Sequence, residues 1–148
     1  MRTLVLYDSA YGNTEQIARS IGSAISGDVR VLRVGELDPS TLESVGFLIV
    51  GSPTQGGKPT KAMQDFLDNV PESALKETSV AAFDTRLSTK WVAIFGYAAG
   101  RIAKGLEAKG ATLTVSPEAF FVKGKEGPLK EGELERAAAW AKEAVRSL

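Results

Sequence analysis

From one end of the chain to the other, short apolar runs alternate with longer stretches in which apolar positions recur every three or four residues. The runs at residues 3–7 (TLVLY), 29–34 (VRVLRV), 47–50 (FLIV), 80–83 (VAAF) and 111–115 (ATLTV) read as β-strands. Residues 4–7 and 47–50 are apolar at successive positions, as in parallel strands covered on both faces. Arg30 and Arg33 interrupt the second run, which predicts a strand at the sheet edge. Ser116, Pro117 and Glu118 separate ATLTV from AFFV, and proline cannot donate to a ladder, so the fifth strand should break or bulge there.

Between the strands, Ile17, Ile21, Ala24 and Ile25 fall on one helical stripe, as do Met63, Phe66, Leu67 and Val70, and later Ile102 with Leu106. Leu134, Ala138, Ala141, Val145 and Leu148 predict the inner face of a C-terminal helix. Strands alternating with helices imply an α/β fold, an open parallel sheet with helices on both faces and right-handed crossovers. No repeat or linker interrupts the pattern, so residues 1–148 read as a single domain.

Composition narrows the chemistry. The 148 residues include 18 Lys+Arg, 18 Asp+Glu, no Cys and no His. That removes zinc and iron–sulfur sites, thiol nucleophiles, disulfides and histidine triads. A formal net charge of zero argues against a partner made of nucleic acid, which needs a basic surface. The apolar run at residues 4–7 is too short for a signal-peptide core or for the ~20 residues that span a bilayer, which predicts no membrane span and a cytoplasmic protein.

In open α/β sheets ligands bind beyond the carboxyl ends of the strands, where the strand order reverses. After the first strand come Asp8, Ser9, Ala10, Tyr11, Gly12, Asn13 and Thr14, at the head of a helix. Short hydroxyl and amide side chains around a glycine at a strand-to-helix turn make a phosphate cradle, with backbone N–H groups and the helix dipole aimed at one anion. The same residues also read as an ordinary helix start with Asn13 and Gln16 as a capping box, but the place behind the first strand of a βαβ unit favours the cradle. Neither G-x-G-x-x-G nor the P-loop pattern is present, so a monophosphate fits better than a pyrophosphate or triphosphate. After the third strand, Pro53 stiffens the start of a loop in which Gly56 and Gly57 let backbone lie flat against a planar ring and let a peptide turn over. A plain loop ahead of a helix starting at Pro59 or Thr60 is the alternative. After the fourth strand come Asp84, Thr85, Arg86 and Leu87, where Asp84 also suits a simple turn cap.

The segment SAYGNT, residues 9–14, resembles the flavodoxin FMN-phosphate loop, commonly [ST]-x-[TY]-G-N-T. GSPTQGG, residues 51–57, resembles the second flavin loop of the same family, and the resemblance extends over the whole chain. It implies a flavodoxin-like, doubly wound five-stranded parallel sheet of order 2-1-3-4-5, with FMN as cofactor where the first and third strands diverge. It implies that Ser9, Ala10, Tyr11, Gly12, Asn13 and Thr14 hold the ribityl phosphate. It places Pro53, Thr54, Gln55, Gly56 and Gly57 beside the ring, with the Gly56–Gly57 carbonyl turning toward flavin N5 on one-electron reduction, and it puts Asp84, Thr85 and Arg86 at the pyrimidine edge. No metal and no catalytic side chain is implied.

This sequence departs from the family in two respects. Many flavodoxins sandwich the flavin between a Trp in the second loop and a Tyr in the third, where Thr54, Gln55, Arg86 and Leu87 stand here; Trp91, Phe95 and Tyr97 follow as candidates to fold over the ring. Electron-carrying flavodoxins are usually strongly acidic, whereas this chain is neutral with Lys58, Arg86 and Lys90 near the predicted site. Cations there would favour a negatively charged reduced flavin and raise its potential. Residues 122–141 are similar to short flavodoxin-domain proteins, including those related to quinone-dependent protoporphyrinogen oxidases, and also read as a Gly/Pro loop entering an amphipathic helix.

The expected function is electron transfer by bound FMN, with redox proteins or a small quinone-like acceptor as partners. The alternative is an FMN-dependent oxidoreductase acting on a quinone or porphyrinogen. A phospho-receiver domain shares the strand order but needs a phospho-accepting Asp at the end of the third strand, where Gly51 and Ser52 stand. An interaction domain that has lost flavin is disfavoured by Ser9, Thr14 and the glycine pair.

Overall fold

The computed structural model describes residues 1–88 and 97–148. At its centre β1 (Arg2–Tyr7) and β3 (Phe47–Pro53) lie side by side, each buried over nearly its whole length. β2 (Asp28–Arg33) flanks β1 as a half-exposed edge strand, where Arg30 and Arg33 place it. β4 (Ser79–Leu87) pairs with β3 on the other side. The order is β2-β1-β3-β4-β5, as the flavodoxin resemblance implies, and every pair is parallel, as the alternating pattern predicts.

The outer edge is broken where Ser116 and Pro117 interrupt the apolar run. β5 (Thr112–Leu113) pairs with the start of β4, and β6 (Glu118–Val122) pairs with its end. Leu113 lies opposite Val80 and Glu118 opposite Phe83, so the edge carries more chain than β4 does and the surplus bulges out at the proline.

Alternate residues of the central strands face opposite layers. Leu4, Leu6, Leu48 and Val50 pack under α2 (Lys61–Asn69) and α4 (Ala98–Ala108) through Met63, Leu67, Ile102 and Leu106. The short α3 (Glu72–Leu75) and the 3-10 turns Val34–Glu36 and Pro39–Ser44 connect elements on this side. Val5, Phe47, Ile49 and Phe83 pack under α1 (Asn13–Ala24) and α5 (Glu133–Arg146). Burying each large aliphatic or aromatic side chain contributes roughly 1.5–3 kcal/mol, so both layers are needed to close the sheet.

The inner face of α5 is not the stripe expected from Leu134, Ala138, Val145 and Leu148. Ala137, Trp140, Ala141 and Ala144 are buried, while Leu134 and Leu148 are 40% and 47% exposed. Three alanines let α5 lie close against α1, and Trp140 fills the space beneath by packing edge-on to Phe83 and Phe120 at ring separations of 6.1 and 6.0 Å. Close helix approach favoured small residues over leucines, and of the expected face only Ala141 is fully buried. Among the described residues no helix is long and apolar enough to cross a membrane.

Candidate functional site

The turn between β1 and α1 is tied down from behind. Asp8 N–H donates to the Gly51 carbonyl at 3.1 Å, joining the ends of β1 and β3. The Asp8 carboxylate accepts from Arg33 at 3.2 Å and from the Thr60 hydroxyl at 2.5 Å. Arg33 also donates to the Ser9 carbonyl at 3.0 Å, so the β2 edge strand braces the turn. Thr60 N–H donates to Ser52 Oγ at 3.0 Å and the Thr60 hydroxyl caps α2 at the Met63 N–H, which fixes the following helix start to the same network.

The front of that turn is open. Gly12 is the N-cap of α1 at φ 92°, a left-handed conformation that disfavours a β-carbon, and its N–H donates to Ser9 Oγ at 3.0 Å. The first helical bond runs from Gln16 N–H to the Gly12 carbonyl at 3.1 Å. The N–H groups of Asn13, Thr14 and Glu15 find no acceptor among the described residues. The Asn13–Gln16 capping box therefore does not form; the Asn13 amide instead donates to the Glu126 carbonyl at 3.2 Å. Three N–H groups at the positive end of a helix are the donor set an anion requires.

Two further segments converge on this point. β3 runs through Pro53 and β4 through Leu87, so Pro53 and Asp84, Thr85 and Arg86 are strand ends rather than the free loops expected. Thr54 N–H donates to the Thr85 carbonyl at 2.9 Å and Thr54 Oγ1 accepts from Ala98 N–H at 3.2 Å, at the start of α4. Beyond Thr54 the backbone makes a tight turn in which Gln55 and Lys58 exchange N–H···O bonds of 2.8 and 3.1 Å. Gly56 and Gly57 occupy its centre at φ 57° and 82°, the pair of positive values a type I′ turn demands.

Asp84 and Arg86 serve one another. Asp84 is fully buried, accepts two bonds from Arg86 at 2.8 and 2.7 Å, and accepts a third from Ala99 N–H in the first turn of α4 at 2.9 Å. The Arg86 guanidinium, held along its edge by Asp84, has its central carbon 3.3 Å from the centre of the Tyr97 ring. The structure thus engages Asp84 as a buried anchor and supplies Arg86 with its own counter-charge. Lys58 lines a separate cleft with Arg101 and Leu67. Of the expected cationic surroundings, Arg86 is paired with Asp84, Lys58 lines that other cleft, and Lys90 lies outside the described residues, as do Trp91 and Phe95.

A cavity of about 100 Å³ opens at the convergence, walled by Ala10, Tyr11, Asn13 and Thr14 from the first turn, Pro53 and Thr54 from the second segment, and Thr85 and Arg86 from the third. Ser9, Gly12, Gln55, Gly56, Gly57 and Asp84 are not on its wall; Ser9 and Gly12 shape the turn and the glycine pair stands beyond it. The cavity suits a phosphate with its attachment and is well below the ~300–1,000 Å³ that encloses a whole drug-sized ligand. Leu87, named in the sequence with the third loop, completes the wall together with Val122 and Lys125, which were not anticipated. The signal for the last was the glycine- and proline-rich stretch after β6, KGKEGP, which reads equally as a plain connector.

Comparison with known proteins agrees with this geometry. The sequence model of the family described as Flavodoxin matches residues 5–140. A flavodoxin from the domain Archaea is 24% identical and superposes with a TM-score of 0.82 over 99% of both chains. Oxidised Flavodoxin 2 from Bacillus cereus is 23% identical, TM-score 0.81, over 100% of both chains; oxidised Flavodoxin 1 from the same organism is 20% identical, TM-score 0.80, over 100% of this chain and 99% of that one. No curated protein sequence matches the chain significantly. The structural likenesses establish the fold, and the donors left open at the head of α1 fit the phosphate of the family's cofactor. With the family's sequence pattern running through β1 to α5, the chain belongs to the flavodoxins, FMN-binding proteins of electron transfer.

Proposed function

We propose that the phosphate of FMN seats on the N–H groups of Asn13, Thr14 and Glu15, with its ribityl chain leaving between Thr54 and Thr85 and the ring lying across the Gln55–Gly56 turn. The observation that carries this reading is the unfilled head of α1, facing a cavity to which all three strand ends contribute. The Thr14 and Thr85 hydroxyls stand 2.8 Å apart and share one hydrogen. Each hydroxyl has one donor, so the pair keeps one O–H to offer outward, a fourth donor for an anion. Bound FMN supplies the redox chemistry, and the protein positions it and sets its electrostatics.

The glycine pair gives the ring-side turn two states. Rotating the Gly56–Gly57 peptide converts type I′ into type II′: Gly56 keeps a positive φ in both, while Gly57 swings to a negative one. Glycine at both positions makes each state accessible, so the turn can present either a carbonyl or an N–H to a ring edge.

An electron carrier suits the site better than an oxidoreductase with acid–base chemistry. The carboxylates of Asp8, Glu15 and Asp84 are each engaged by arginine, Asp8 and Glu15 by Arg33 and Asp84 by Arg86, so these three already serve as structural partners. The same proposal makes residues 1–148 one functional domain, working in the cytoplasm with redox proteins or a small quinone-like acceptor as partners. Its short N-terminal apolar run forms the buried strand β1. The test is the purified protein itself: it should be yellow and should release FMN on denaturation, and its flavin should pass electrons to a redox protein without turnover of a quinone or porphyrinogen. Rapid catalytic turnover of either would put the oxidoreductase reading in its place.

A further inference from the structure

The chain after β6 folds back over the head of α1. Lys123 N–H donates to the Pro128 carbonyl at 2.8 Å, Gly127 N–H to the Gly124 carbonyl at 3.0 Å and Lys130 N–H to the Phe121 carbonyl at 2.9 Å, which closes residues 123–128 into a tight turn. The Glu126 carbonyl accepts from the Asn13 side chain at 3.2 Å. Gly127, at φ +108°, lies flat on the same amide, where a β-carbon would come within 2.6 Å of Asn13 Oδ1. Backbone and glycine together therefore lock this turn to the first residue of α1.

That lock sets Lys125 on the cavity wall with Tyr11, Asn13 and Thr14. Arg86 is the other cation on the wall, and its guanidinium is engaged by Asp84 and Tyr97. Lys125 takes part in no ion pair among the described residues. We propose that Lys125 is the counter-ion of the cofactor phosphate, held at the site by the 123–128 turn, so that a cation joins the neutral donors in selecting a phosphorylated flavin. The assignment rests on the phosphate position proposed above. A phosphomonoester carries close to two negative charges at neutral pH, and a charge-assisted bond to it outweighs a neutral one. Lys125 is exposed, so its contribution falls as salt screens it.

The experiment measures affinities of the flavin-free protein for FMN and for riboflavin, at about 20 mM and about 0.5 M salt, in the unaltered chain, Lys125→Gln and Lys125→Arg. Because Lys125 is exposed and makes no ion pair among the described residues, both variants should keep the native circular dichroism. Lys125→Gln should weaken FMN about tenfold at low salt and much less at high salt, with riboflavin unchanged, and Lys125→Arg should retain most of the affinity. An FMN affinity and salt dependence in Lys125→Gln equal to those of the unaltered chain would overturn the assignment and leave the phosphate site standing. Equal affinity of the unaltered chain for FMN and riboflavin would instead remove the phosphate site and Lys125's role with it.

Discussion

Thr14 and Thr85 are 71 residues apart in sequence, yet their hydroxyl oxygens meet at 2.8 Å in the interior. The bond crosses the end of β3 and clasps the head of α1 to the end of β4, which closes the crevice where the strand order reverses. Thr14→Ala should weaken FMN by about 1–3 kcal/mol through a lost charge-assisted bond, and riboflavin hardly at all. It should also cost the flavin-free protein about 1–2 kcal/mol, since the Thr85 hydroxyl stays buried without its partner. Titration calorimetry and urea unfolding separate the two effects; an equal loss for both flavins would mean the substitution distorts the site instead of removing a phosphate donor.

Asp84→Asn addresses the buried pair. The Arg86 side chain is 13% exposed and would lose its counter-charge in place, so the flavin-free protein should lose roughly 3–5 kcal/mol of stability. If Asp84 mattered chiefly as a flavin contact, unfolding of the flavin-free protein would be unaffected and only cofactor affinity would drop.

Acid sensitivity should trace in part to Glu133. The Arg136 guanidinium, helped by the Phe121 N–H at 2.7 Å, holds its carboxyl below the usual carboxylate range against the opposing effect of burial. A carboxylate held low binds its proton less readily folded than unfolded. Its contribution is therefore complete above the ordinary glutamate value of about 4.3 and disappears as pH falls through the lowered folded value. Glu133→Gln should flatten the pH dependence of stability in that acidic window and lower stability at pH 7 by about 1–3 kcal/mol. An unchanged acid profile would show that the pair of α5 and β6 does not depend on this charge.

The two glycines of the ring-side turn should respond differently to alanine. Gly56 has a positive φ in both turn types, so Gly56→Ala carries a penalty of about 1–2 kcal/mol whichever the turn adopts. Gly57 has a positive φ only in type I′, so Gly57→Ala should shift the turn toward type II′ and alter the affinity for oxidised flavin relative to reduced flavin. Equal effects of the two substitutions on both flavin states would argue that the turn stays in one form.

The parallel sheet and its layering were legible because they follow from local signals: unbroken apolar runs for buried strands, Arg30 and Arg33 for the edge, and Pro117 for the break between β5 and β6; the strand order came from the family resemblance. The phosphate turn was legible because its chemistry is contiguous in the chain. What escaped depends on contacts between distant segments. Nothing near Asp84 says that Arg86 will fold back on it beneath Tyr97, since strand alternation alone only places the two on one face. The lip around Lys125 is set by Gly127 against Asn13, a fit between residues far apart in the chain. The inner face of α5 turns on how closely α1 approaches, a distance no periodicity encodes.

Selective binding of FMN depends on a phosphate received by the backbone of α1. The most direct measurement is the amide nitrogen–proton spectrum of the flavin-free protein on adding FMN or riboflavin. FMN should move the Asn13, Thr14 and Glu15 amide protons strongly downfield, as new hydrogen bonds to an anion do, while riboflavin leaves them near their starting positions and perturbs the Gln55 to Lys58 turn alone. If FMN and riboflavin shifted those three amides alike, or neither shifted them, the phosphate would not sit at the head of α1 and the central claim would be wrong.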